Sequence, residues 1–195
     1  MKTFLTLLVL FFSSSVVAED ISDFQIEGMS IGDSLLDYFS EEKIKDNIKE
    51  YIKDKKFSFF EIYDPLLFKT YESLQVSYKT DDKDYIIYGI SGAIFYIDNI
   101  NECYPKKNKI VTELESLLIT ATKEDYGKVI NRADKSGESK FTVVLFTFNS
   151  KDDVEVSCYD WSNKFEKKYA TDSLRVLLRK KEYIDWLENS TFNVD

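Results

Sequence analysis

Apolar and polar positions change period several times along the chain, and each change marks an element. Phe4 to Phe12 is one apolar run behind Lys2, broken by Ser13-Ser14-Ser15 and followed by Val16-Val17-Ala18. A positive residue, a short apolar core and small residues before a cut site are the parts of a secretory signal peptide. Residues 1–18 are therefore expected to be removed after Ala18. The run is about half the ~20 apolar residues that a membrane span needs, and no later stretch is long enough. Ile21, Phe24 and Ile26 then form a short lead-in that can pack. Ser30 and Asp33 resemble a capping box opening a short helix through Phe39, with Ile31, Leu35, Leu36 and Phe39 on one side. Ser40-Glu41-Glu42 starts a second helix running to about Ile52, because Ile44, Ile48, Tyr51 and Ile52 recur at helical spacing.

The period then shortens to two. Phe57–Tyr63 reads as a strand ended by Asp64-Pro65, and Leu74, Val76 and Tyr78 alternate with Gln75 and Ser77. Tyr85–Ile97 is a long apolar run interrupted by Gly89 and Gly92, which mark a bulge, a sharp bend or a tight turn. Cys103 and Pro105 open a third helix to near Thr122, with Ile110, Leu114, Leu117, Leu118 and Ala121 on one face. A polar loop covers 131–139. Phe141–Phe148 is apolar on both faces and is expected centrally in a sheet. Val154, Val156 and Cys158 alternate with polar residues, as do Leu174, Val176 and Leu178, and a last short helix carries Tyr183, Ile184, Trp186 and Leu187. Helices followed by hairpin-linked strands, twice over, argue for an α+β class with antiparallel sheet. After the leader, residues 19–195 form one α+β domain with sub-units 19–102 and 103–195.

Composition narrows the partners. The formal net charge is −9, and losing Lys2 with the leader makes it −10. Such a surface repels phosphate backbones and anionic lipids, which argues against nucleic acid. Aromatics make up 15% of a chain with few Gly and Pro, a folded composition. The two cysteines, Cys103 and Cys158, stand 55 positions apart. An even pair in an exported chain normally bridges, and the redox-active C-x-x-C spacing is absent.

Candidate chemistry is thin. Gly32-Asp33-Ser34-Leu35 spells the nucleophile block of GDSL esterases, but the chain has no histidine to take the serine proton. Ser40 and Lys43 match the short S-x-x-K pattern without its companion motifs, so capping is the better reading. Asp81, Asp82 and Asp84 lack the EF-hand spacing and read as a solvated hairpin tip. No metal or cofactor motif is present, and no cofactor is expected. Tyr159-Asp160-Trp161, next to the expected bridge, is either a rigid contact patch or core aromatics with polar handles.

The segments FQIEGMSIGDSLLDYFSEEKI, YGISGAIFY, NECYPKKNKI and VSCYDWS resemble exported proteins of marine alphaproteobacteria of the Pelagibacter group. The resemblance implies a periplasmic location and brings no known activity. Ile26-Glu27-Gly28-Met29-Ser30, leading through two helices into antiparallel strands, is similar to the repeat of the BamE and beta-lactamase-inhibitor-protein group, which are small exported binding modules. This chain lacks their lipid-attachment cysteine. The expectation is a non-enzymatic binding or protein-interaction module acting on a protein or small ligand in the envelope. The alternatives are a carboxylate- or thiol-dependent hydrolase of envelope or imported material, and a carrier of small apolar ligands.

Overall fold

The computed structural model describes residues 20–64, 66–131, 134, 136–164 and 171–190. The expected signal peptide, residues 1–18, lies outside them. The strands are β1 (Ile48–Lys49), β2 (Phe57–Tyr63), β3 (Ser73–Lys79), β4 (Ile87–Phe95), β5 (Thr122–Ile130), β6 (Lys140–Thr147), β7 (Asp153–Asp160) and β8 (Ser173–Arg179). The α-helices described along their full length are α1 (Glu41–Asp46), α2 (Cys103–Leu117) and α3 (Lys181–Glu188).

All eight strands join one antiparallel sheet in the order β1-β2-β3-β4-β8-β7-β6-β5. Each half of the chain thus contributes a meander, and the two meet through their last strands, β4 and β8. The α+β class expected from the alternating patterns is the observed one. Register sorts the side chains into two faces. Phe60, Val76, Ile90, Leu178, Val154 and Phe146 lie in line across the first face. The lead-in, α1 and α2 cover this face, burying Ile21, Phe24, Leu35, Ile44, Ile110 and Leu114 into the main core. The second face carries α3 at one end, where Tyr183 and Trp186 pack on Phe57 and Phe59 in a smaller core.

Several boundaries differ from the sequence reading. The first helix reduces to a 3-10 turn, Leu35–Asp37, whose cap is Ser34. Asp33 instead accepts from the Ser30 N–H (2.8 Å), while the Ser30 hydroxyl donates to the Phe24 carbonyl (3.0 Å), so half of the capping box forms. The second helix stops at Asp46. Ile48 and Lys49 leave it to pair with β2, and Ile48 ends 40% exposed because its extended backbone turns it off the helical stripe. The third helix stops at Leu117, and Thr122 already opens β5. β6 lies one strand from the end of the sheet, not at its centre. Its second face is covered by neighbouring side chains such as Tyr159, which stacks on Phe141.

The two β4 glycines have separate uses. Tyr78 opposes Ile87 and Ser77 opposes Gly89, so the ladder bulges at Tyr88. The strand then runs straight through Gly92. A Cβ on Gly89 would stand 2.8 Å from Tyr183 Cε1, and one on Gly92 would stand 2.5 Å from Tyr71 Cγ, under the ring. Tyr71 is fixed in place because the Glu27 carboxylate accepts from the backbone N–H groups of Lys69, Thr70 and Tyr71 (2.9, 2.7 and 3.0 Å). Gly92→Ala is therefore expected to cost about 1–3 kcal/mol, the usual range for overpacking. Gly89→Ala is expected to cost less, since it meets the ring edge of a residue on the short terminal helix. Thermal melting of both variants checks the order.

Candidate functional site

The second face of the sheet concentrates the features that the sequence left unassigned. Its register rows are Phe95–Ser173–Tyr159–Phe141, then Ser73–Ala93–Arg175–Ser157–Val143, then Gln75–Ser91–Leu177–Glu155–Leu145, then Ser77–Gly89–Arg179–Asp153–Thr147. Small residues floor the middle. Ser73, Ser91, Ala93, Ser157 and Ser173 are all buried, while Phe95, Phe141, Tyr159, Arg175 and Leu177 are half-buried around them.

Aromatic rings form one bank. Phe141 and Tyr159 stack at 5.3 Å with planes 16° apart, and Trp161 continues the stack at 5.7 Å from Tyr159. The Arg175 guanidinium lies 5.2 Å from the centre of the Tyr159 ring, within cation–π range. Tyr63 and Phe95 make a second pair at 5.8 Å towards the other side. Of the three predicted contact residues, Tyr159 and Trp161 thus stand together, and Trp161 is pinned by its backbone N–H donating to Asp172 (2.7 Å). Asp160 points to the opposite face, where Tyr104 donates to it (3.3 Å) and Lys128 lies 3.6 Å away. Alternation along β7 dictates this split.

Below the rings lies a buried ion cluster. Arg179 donates to Asp153 through Nε and Nη2 (2.8 and 2.9 Å) and to Glu155 through Nη1 (2.9 Å). The Arg179 side chain is 13% exposed and both acids are 7% exposed. Ser157 donates to the other oxygen of Glu155, and Tyr159 does so at 3.4 Å. Burial pushes the Asp153 carboxyl up despite the opposing pull of Arg179. Burial, with Glu155 nearby, raises the Tyr159 phenol. Desolvation disfavours the Arg179 charge, but Glu155 and Asp153 outweigh it and hold the guanidinium protonated. A recess beside the cluster, lined by Gln75, Ser77, Ser91, Leu177 and Tyr183, has room for about one water.

Cys103 and Cys158 are joined, with Cα atoms 6.0 Å apart, and both are fully buried. The bridge ties the first residue of α2 to β7, directly behind the ring bank. The remaining sequence candidates serve local structure. Ser34 donates to the Asp84 carbonyl (2.6 Å) and caps Leu36, so its hydroxyl serves the local turn. Asp33 accepts from Tyr38 (2.6 Å), whose phenol is pushed up to about 12 by burial and by this bond. Ser40 caps α1 through the Lys43 N–H. Asp82 accepts from the N–H groups of Asp84 and Ile86 and braces the hairpin. Among the described residues no three metal-type side chains converge, and no helix is long and apolar enough to cross a membrane.

Sequence reasoning passed over Arg175, Arg179 and Glu155. A signal was present: acids at 153 and 155 and arginines at 175 and 179 share the parity that puts each set on one face of its strand. Comparison with family models, with characterised proteins and with solved structures returned no match.

Proposed function

We propose that the chain is an exported, periplasmic binding or protein-interaction module whose partner docks on the ring-bearing face of the sheet. The observation that carries the reading is the bank of Phe141, Tyr159 and Trp161 with Arg175 laid against it, on a face where α3 covers one end. Tyr, Trp and Arg supply most interface hot spots, because each buries a large rigid area and keeps a polar handle. These side chains are already held in place by stacking, so docking would order few rotamers. The apolar leader with Val16-Val17-Ala18 and the bridged cysteines both support the envelope as the setting.

The same geometry gives the hydrolase alternative little. The two buried acids on this face are both held by one guanidinium, and both sulfurs are spent in the bridge. A general acid or base needs a proton free to move.

Capture from an envelope extract tests the reading. The protein and its Tyr159→Ala, Arg175→Glu double variant are immobilised side by side, with circular dichroism confirming that both fold. One envelope partner is expected on the parent and is expected to weaken by about 10- to 30-fold on the variant, as for a lost hot spot. Equal capture by both would remove this face from the site. A parent that retains nothing would contradict the binding reading itself.

A further inference from the structure

β5 is the long free edge of the sheet. Its inner side pairs with β6, it ends the strand order, and every residue but Val129 is exposed. At the other end β1 has only two residues. We propose that two copies of this chain join through their β5 edges, antiparallel, about a two-fold axis perpendicular to the sheet.

The argument rests on the bulge. Asp125 opposes Val144 and Gly127 opposes Val143, so Tyr126 is an extra residue. It reverses the alternation beyond it. Lys123 and Asp125 before the bulge share the helical face with Lys128 and Ile130 after it, and Thr122 and Glu124 share the ring-bearing face with Gly127 and Val129. The same reversal swaps which backbone N–H and C=O groups turn outward. A two-fold pairing that respects faces and backbone direction and uses the strand on both sides of the bulge must therefore set a residue before the bulge against one after it. The register that centres the two bulges sets Asp125 against Lys128 of the second copy, twice. It also sets Tyr126 against Gly127 of the second copy, twice, an aromatic ring over a residue with no side chain. Slipping by two residues opposes Lys123 to Lys128, or Asp125 to Ile130, and loses both ion pairs.

The Lys128 ammonium, 3.6 Å from Asp160 in its own chain, would be shared with Asp125 of the second copy. One Asp125 oxygen accepts from the Gly127 N–H (2.8 Å) and braces the bulge, while the other has no hydrogen bond among the described residues. Tyr126 is 54% exposed and donates to Glu124 (2.8 Å). Lysines and bulges on edges usually deter pairing. Among the registers that span the bulge, the sequence makes them complementary in the centred one alone. The axis keeps faces together, so the dimer would present two ring-bearing surfaces on the same side, which suits bivalent docking.

Charge exchange tests the proposal. Sedimentation of the wild type from about 5 to about 500 μM, the range suited to a small interface, is expected to show reversible dimerisation. Lys128→Glu opposes two acid pairs, and Asp125→Lys opposes two lysine pairs. Each alone is expected to weaken the dimer about tenfold or more. Mixing the two variants restores both ion pairs in a heterodimer, which should associate as the wild type does. Melting curves confirm that each variant folds. A wild type that stays monomeric at the highest concentration would overturn the proposal. So would a dimer indifferent to either substitution, or a mixture that fails to associate.

Discussion

Replacing Cys103 and Cys158 together by alanine is expected to lower the unfolding free energy by roughly 4 kcal/mol, the chain-entropy value for a bridge closing this span of 55 positions. The enclosed segment holds α2, β5, β6 and most of β7, so the link constrains the second meander as a unit. It also holds the start of α2, where Glu102 makes no side-chain cap. The rest of α2 rests on the sheet through Ile110, Val111 and Leu114. Both half-cystines are fully buried, so each alanine leaves a small void that adds to the loss. Urea titration should show a lower midpoint and an equal or larger slope, because the unbridged chain unfolds to a more open state. A change below about 1 kcal/mol would show that the bridge is not the brace described.

Arg179→Met is expected to cost about 3–5 kcal/mol at pH 7 by leaving Asp153 and Glu155 buried without their cation. The pH dependence gives the mechanism away. Burial already raises the Asp153 carboxyl, and removing Arg179 removes its main opposing influence. A carboxyl whose folded value lies above its unfolded value contributes stability that is present below the unfolded value and lost as pH rises through the folded one. The deficit of the variant should therefore shrink as pH falls from 7 towards 4, where Asp153 takes up a proton. Melting temperatures of parent and variant across that range check it. A deficit independent of pH would point to lost packing instead.

How far the sequence went is clearest strand by strand. The aromatic, β-rich run Phe57–Tyr63 matches β2 in its observed bounds, and β3, β7 and β8 are matched nearly so, because their apolar residues recur at every second position, Leu177 excepted. β5 gave no signal: Thr122–Ile130 is exposed on both faces, so no apolar period could form, and pairing with β6 alone makes it a strand. The helix expected to reach Ile52 failed for the opposite reason. Its helical spacing of Ile48, Tyr51 and Ile52 is real, but β-branched and aromatic residues also suit an extended chain, and β2 offered a free edge. Gly89 and Gly92 announced irregularity, and only the structure shows the rings of Tyr183 and Tyr71 seated on them. The disulfide followed from cysteine arithmetic. The candidate face was half legible: Tyr159 and Trp161 stood out by type, whereas Arg175 and the Arg179 cluster depend on which strands become neighbours, and β4 joining β8 is a tertiary fact.

The claim that everything functional leans on is that a partner docks against the stacked rings. Placing a photoreactive residue at Arg175 on the ring-bearing face, and in a second strain at Thr112 on the exposed side of α2, tests it inside the cell. Irradiation is expected to yield one discrete adduct from position 175 and none from position 112. Adducts from 112 alone, or the same adducts from both positions, would contradict it.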